Sequence, residues 1–540
     1  MTSGRPNLVT IFAALALFWS VSPAPAENSP ESCDSLASTK ISAASIGLPT
    51  GGAAIDSATL IPADAPDNLN GPYCKVLGSI HPVDPAAPDI RFEINLPDNW
   101  NGKALHYGGG GYNGNLITGL TITRFALPGS PTPLKRGYVT FASDSGHQSP
   151  SIADGSFAMN AEALTNFGGA QLKKTHDVAI ELILRRYGAG PSRTYFFGNS
   201  QGGHEGFIVI QRWPQDYDGV VSIHPVYDFT ALQMDGNALA RALYNSKGAW
   251  LNPAKLKLLQ NSVMKTCDGL DGAEDGVISN VAGCQSTFKL SSLRCAEGKD
   301  TGDSCLSDAQ IQAIDAIHSR VSFSFALPSG QTSFAPWPVL EGADWTGLFA
   351  FGSRPTPSNP PEPLKDFGLA VLSDPMVRFM TTRDPHVDPL QFDPTKYQDR
   401  LRELSGLLDA SDDDISAFKA RGGKLLLMHG TVDSAVPPQN TIDYYERLVA
   451  RFGQGPLDDF VRFYVAPGFG HGTGQFVVGW DALGALEAWV EKGEAPGPQI
   501  VADTNEGNHG RTRPLCVYPK WPRYVSGDVD KAESFTCVDR

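Results

Sequence analysis

The sequence predicts an α/β protein: a mostly parallel sheet whose loops gather at one edge, interrupted by one large insertion. Three observations carry this. Short apolar runs end repeatedly in glycine-rich or polar loops, helix-like segments separate some of them, and the alternation stops near residue 227 and resumes near 422.

The first 26 residues stand apart. Arg5 gives a basic start, residues 8–21 are an apolar run, and Ala24-Pro25-Ala26 is a small-residue cleavage pattern. This is the signature of a secretory signal peptide cut before Glu27. The run is too short for a comfortable membrane span, and no later stretch approaches the required length. The expectation is an exported chain without a membrane anchor. Export bears on the eight cysteines, Cys33, Cys74, Cys267, Cys284, Cys295, Cys305, Cys516 and Cys537. In an oxidising compartment an even set without a CxxC pair reads as disulfides rather than metal ligands or redox centres. Connectivity is not fixed by sequence. Pairing of nearest neighbours is the simplest proposal, each closed loop contributing about 2–4 kcal/mol. The formal charge of -15 argues against nucleic acid or an anionic membrane as the main partner. The sequence leaves the oligomeric state open.

Residues 104–107 lead into four glycines at 108–111, and residues 138–142 lead into Ser143-Asp144-Ser145-Gly146-His147. Residues 195–197 lead into a serine turn, with 219–223 following it. Residues 424–428 lead into HGTVD and 461–465 into APGFGHG. Helix-like segments at 171–187 and 441–452 lie between some of these runs. The insertion holds four cysteines, many prolines and Trp250, Trp337 and Trp345. It reads as a cover over the loop edge of the sheet. The division is therefore a core in two parts, 27–226 and 423–540, around a lid at 227–422.

The pattern G-x-S-x-G occurs once, as Gly198-Asn199-Ser200-Gln201-Gly202. Glycine is 56 of 540 residues, so a given serine is flanked this way by chance roughly one time in a hundred. The pattern alone is weak; its setting is stronger. An aromatic strand precedes it and a helix-capable stretch follows, which is the context of a nucleophile elbow. The bland reading is a Gly-Ser loop. A serine hydroxyl also needs a base, and the base needs an orienting acid. Asp433 and His471 lie in loops after apolar strands, in the order Ser, Asp, His of the α/β-hydrolase fold. Backbone amides must meet the charge of a tetrahedral intermediate. The amide of Gln201 and that of Gly110 or Gly111 are the candidates. His147 and His204 read as packing or hydrogen-bonding residues, because their chain positions do not suit the base.

The motifs GGGGYNG (108–114), SDSGH (143–147), GNSQGGHEG (198–206) with QRWPQDYDGVV (211–221), HGTVDSAVPP (429–438) and PGFGHG (467–472) resemble the tannase and feruloyl esterase family of secreted α/β-hydrolases. The closing RPLCVYPKWPRY…SFTC extends the resemblance through most of the chain. It implies an α/β-hydrolase fold with a large lid insertion, and a serine carboxylesterase acting on a small aromatic acid ester of feruloyl, galloyl or terephthalate half-ester type. It also implies Ser200 as nucleophile, His471 as base and acid, and Asp433 as the orienting carboxylate. The family places a disulfide-bonded cysteine pair beside the serine and the histidine. Here those positions are Asn199 and Gly472, and Asn199 reads as a structural replacement whose amide could bridge the two loops.

The segment CDGLDGAEDGVISN (267–280) holds Asp268, Asp271 and Asp275. On composition it is equally an acidic turn or a hard-cation loop, and it lacks the EF-hand spacing. The resemblance implies a structural Ca2+ site in the lid, with those three carboxylates, the carbonyls of Ala273 and Val277, and a Cys267–Cys284 disulfide. The lid residues Trp337, Trp345, Phe349 and Phe351 could stack on an aromatic substrate, although aromatics at this density are more often core. Two other readings stay open: a non-catalytic, calcium-stabilised binding protein, and an acyltransferase using the same triad.

Overall fold

In the computed structural model, which describes residues 1–4, 30–347, 349–508 and 510–539, one sheet of ten strands organises the chain. Residues 5–26 of the expected leader lie outside the described residues. The strands are β1 Lys40–Ile41, β2 Gly52–Ile61, β3 Tyr73–His81, β4 Ile90–Pro97, β5 Lys103–Tyr107, β6 Val139–Ser143, β7 Arg193–Asn199, β8 Gly219–Ile223, β9 Lys424–Gly430 and β10 Val461–Ala466. Their order is β1-β2-β3-β4-β6-β5-β7-β8-β9-β10. Pairs from β1 to β4 and the β4–β6 pair are antiparallel; every pair from β6 onward is parallel.

The two halves are built differently. In β3 burial mostly alternates along the strand, as expected where one face is covered. β6 and β8 are buried throughout, which is why they read as continuous apolar runs. Alternate residues of this buried half serve opposite faces. Phe196, Val220 and Leu427 join the cluster that holds α2 (Gln201–Arg212) and α6 (Pro438–Phe452). Phe197, Val221 and Met428 join the cluster of α7 (Ala482–Lys492) on the other side. α1 (Gln171–Tyr187) covers β4 and β6 and ends at Gly188, whose φ of 73° suits a left-handed cap.

The chain leaves the sheet after β8 and returns at β9. Between them, α3 (Phe229–Asn245), α4 (Pro253–Cys267) and α5 (Gly368–Pro375) share a core with Trp337, Trp345 and Phe351. Four disulfides join Cys33–Cys74, Cys267–Cys284, Cys295–Cys305 and Cys516–Cys537, each between neighbours in sequence. Among the described residues no helix is long and apolar enough to cross a membrane.

Candidate active site

Ser200 stands between the last residue of β7 and the first of α2, with φ 60° and ψ -120°. A non-glycine residue there carries about 1–3 kcal/mol of backbone strain, so the surroundings must hold it. The Ser200 amide donates to Ile223 O at 2.9 Å, and the Gly202 amide donates to Gly109 O at 3.2 Å. A Cβ at Gly198 would stand 2.0 Å from the Gly202 carbonyl oxygen, and one at Gly202 would stand 2.9 Å from Gly109 O. The glycines flanking the serine are therefore demanded by backbone-to-backbone packing.

Asp433 and His471 extend from the loops after β9 and β10. His471 Nδ1 lies 2.8 Å from Asp433 Oδ2, a contact that puts the proton on Nδ1 and leaves Nε2 as the free base. The other carboxylate oxygen accepts the amides of Ala435 at 2.8 Å and Val436 at 3.0 Å. Burial would raise the Asp433 carboxyl, but the charge of His471 and hydrogen bonds from His429 and His471 hold it well below the usual range. The acid is thus kept ionised toward the histidine.

Ser200 and His471 line one cavity of about 580 Å³ together with Gly108–Gly111, Gln201 and Phe349. No hydrogen bond joins the Ser200 hydroxyl to His471 among the described contacts; such bonds often tighten only with substrate bound. Of the two glycine candidates, the Gly110 amide is already donated to Asn113 Oδ1 at 2.8 Å. The Gly111 amide carries no such bond, and its φ of 59° is a glycine conformation. The Gln201 amide, at the first position of α2, has no acceptor within its own helix. Beneath the glycine run lies Glu205, fully buried, accepting from the Gly109 amide and Asn113 Nδ2, each at 2.8 Å. Burial pushes its carboxyl up to about 7 against those bonds.

Several contacts escaped the sequence reading. Asn199 does not bridge to the His471 loop: its Oδ1 lies 3.0 Å from His224 Nδ1, because His224 at the end of β8 is the nearer polar partner. His224 is fully buried at a φ of 47°, with its ring 5.2 Å from that of His471 and its Nε2 3.9 Å from Asp433 Oδ2. The signal for it was His224 itself, directly after a parallel strand. His147 Nε2 donates to Tyr112 O at 2.8 Å and its ring stacks on Phe157 at 3.8 Å, and His204 contacts Gln201 at 3.2 Å; both pack and hydrogen-bond away from the Asp433–His471 pair. Trp337, Trp345 and Phe351 are buried in the lid core. Phe349 alone of the four lid aromatics lines the cavity, its ring 5.4 Å from that of His471.

The acidic loop follows α4. Asp268 accepts the Gly276 amide at 2.9 Å, Asp271 accepts Ala273 at 3.1 Å and Ser279 at 3.0 Å, and Asp275 pairs with Arg513. Burial, with the charge of Asp275 adding to it, raises both Asp268 and Asp271, the latter to about 6. The carbonyls of Ala273 and Val277, both buried residues, accept no hydrogen bond among the described contacts. Carboxylates beside unpaired carbonyls are the donor chemistry of a hard cation, so the chemistry of these residues fits Ca2+, although among the described residues the three carboxylates do not bring ligand oxygens all within 4.8 Å of one another.

Comparison with known proteins agrees with this architecture. The family model described as tannase and feruloyl esterase matches residues 74–538. An uncharacterised esterase of Agrobacterium fabrum is 42% identical, over 98% of this chain and 97% of that protein. Mono(2-hydroxyethyl) terephthalate hydrolase of Piscinibacter sakaiensis is 30% identical, over 86% of this chain and 85% of its own. Among solved structures, feruloyl esterase B from Aspergillus oryzae superposes with a TM-score of 0.72 at 24% identity, covering 92% of this chain and 98% of that one. That likeness speaks for the α/β fold. The relatives and the family model together identify a carboxylic ester hydrolase, and the chain belongs to the tannase and feruloyl esterase family.

Proposed function

We propose that this protein is a secreted serine esterase that hydrolyses an ester of an aromatic acid through an acyl-enzyme. The observation that carries the reading is the strained Ser200, facing the same cavity as a histidine whose Nδ1 is bound to a buried aspartate. Ser200 Oγ attacks the ester carbonyl as His471 Nε2 takes its proton. The amides of Gln201 and Gly111 receive the negative charge on the carbonyl oxygen. Collapse expels the alcohol with the proton from His471, leaving an acyl group on Ser200. Water, deprotonated by His471, then attacks the acyl carbon; the proton returns to Ser200 and the acid departs. Asp433 stabilises the imidazolium in both halves. Phe349 and Phe229 of the lid line the cavity and are available to an aromatic acyl group.

Ca2+ bound by Asp268, Asp271, Asp275 and the carbonyls of Ala273 and Val277 would neutralise the charge of the acidic loop and brace the lid. Its role is structural. Export is supported by the four disulfides, which persist in oxidising compartments.

The test is hydrolysis of methyl gallate, methyl ferulate, chlorogenate, mono(2-hydroxyethyl) terephthalate and a short p-nitrophenyl ester by the wild type and Ser200→Ala. Turnover of at least one aromatic ester, lost in the variant, is expected. Silence of the folded, calcium-loaded wild type on every ester would contradict the reading.

A further inference from the structure

The cavity of Ser200 and His471 contains one feature that ester hydrolysis does not require. Among the described residues, Arg124 is the single Lys or Arg side chain in its lining, and no Asp or Glu lines it. Arg124 is exposed to solvent while lining the cavity, so its guanidinium stands open to a ligand. Among the described contacts its guanidinium makes no ion pair and no hydrogen bond; it lies over the Phe125 ring, 5.1 Å from the centroid.

The turn that presents it is a built one. Phe125 has a φ of 64°, a left-handed conformation that costs a non-glycine residue energy and persists only where its neighbours fix it. They do so here. The Phe125 ring is edge-on to Phe469 at 4.9 Å and to His224 at 5.8 Å. Its carbonyl accepts the Trp480 amide at 3.0 Å, and the Ala126 amide donates to Thr123 O at 3.0 Å. The guanidinium reaches the loop of the candidate base: a Cβ built on Gly472 would stand 2.9 Å from Arg124 Nη2. A side chain at that position would collide with the arginine; glycine leaves the room.

We propose that Arg124 is a specificity-determining residue, selecting esters that carry a carboxylate elsewhere in the molecule and pairing with it through the planar guanidinium fork. This rests on the esterase reading of the same cavity. An arginine held on an aromatic ring, with its donors unspent, is arranged for bidentate recognition of a carboxylate. Being beside the reaction centre, it would use that contact to hold the ester carbonyl against Ser200. The carboxylate can belong to the acyl part, as in a half-ester of an aromatic diacid, or to the alcohol part, as in an ester of a hydroxy acid.

Matched pairs separate these cases: monomethyl against dimethyl terephthalate for the acyl side, and chlorogenate against methyl caffeate for the alcohol side. The wild type is expected to prefer the charged member of at least one pair, and the pair that responds assigns the side. Arg124→Gln should lower kcat/KM for that charged ester by about 10- to 100-fold, while kcat/KM for its neutral partner and the melting temperature stay within about twofold and about 2 °C of wild type. Arg124→Lys, which keeps the charge without the fork, should fall between them. Added salt should depress turnover of the charged ester by the wild type more than by Arg124→Gln. Turnover of the neutral esters with no advantage for either charged member would overturn the inference and leave the esterase reading standing. So would an equal loss on charged and neutral esters in Arg124→Gln. Silence of the wild type on all four, and on p-nitrophenyl acetate, would overturn the esterase reading and this inference with it.

Discussion

Two loops of this protein gather aspartate and give it opposite surroundings. On the loop after β9 a single carboxylate, Asp433, is wholly buried, with two amides on one oxygen and His471 on the other. It stays well below the usual carboxylate range despite its burial. On the 268–277 loop burial raises Asp268 and Asp271, the latter to about 6, and the charge of Asp275 adds to it. Arg513 and Arg511 both pair with Asp275 there. Depth does not explain the difference, since Asp433 is the more deeply buried and yet the more firmly ionised. What each carboxylate faces explains it: His471 and His429 offset the burial of Asp433, whereas the backbone amides on Asp271 do not offset its burial. The first arrangement suits a residue that holds a histidine through a reaction; the second suits a cluster whose excess charge a divalent cation would cancel.

The sharpest break of that comparison is at the group Asp433 serves. Ser200→Ala should cost about 10⁴-fold or more in kcat while the melting temperature stays close to wild type; activity near wild type would remove the elbow from the mechanism. Asp433→Asn should cost about 10³- to 10⁴-fold in kcat. Asp271→Asn on the other loop should leave kcat within about twofold, and an equal loss from both variants would erase the distinction. Chelation should lower the melting temperature by several degrees, on the order of 5 °C, and readdition of Ca2+ should restore it. The same treatment of Asp271→Asn should do much less, and no shift in the wild type would mean that the loop is only an acidic turn.

The smallest expected effect concerns Glu205, a third buried carboxylate, whose partners are neutral donors. Its folded value of about 7 lies above the ordinary carboxylate value of about 4.3. Its contribution to stability is therefore fully present below about pH 4.3 and is lost as pH rises to about 7. Glu205→Gln should flatten the fall of melting temperature with pH across that window. An unchanged slope would show that Glu205 does not titrate there.

How much was legible in the sequence follows the same physics. The parallel strands were readable because burial on both faces makes them continuous apolar runs, and the expected 219–223 coincides with β8. The antiparallel arm β1–β4 was passed over because one-sided burial dilutes the apolar signal: in Tyr73–His81, Lys75, Gly78 and Ser79 interrupt it. Ser200, Asp433 and His471 were legible from chain order, since each follows a strand that ends at one edge of the sheet. Phe349 could not be told from Trp337, because composition does not say which lid aromatic turns inward. Nor could Asn199 be matched to His224: they stand at the ends of neighbouring strands, which sequence separates by an entire helix. Arg124 was invisible for a related reason. Its meaning lies in the cavity it lines, and only the fold places it there with no Asp or Glu among the described lining residues.

The acyl-enzyme mechanism requires that Ser200 carry the acyl group. The most direct measurement is to mix the protein with a slowly turned-over p-nitrophenyl ester, quench in acid within one turnover, and locate the added mass by peptide mass spectrometry. The expected result is an increment equal to the acyl group on the peptide that contains Ser200, absent from Ser200→Ala. An acyl group on any other residue, or turnover with Ser200 left unmodified, would contradict it.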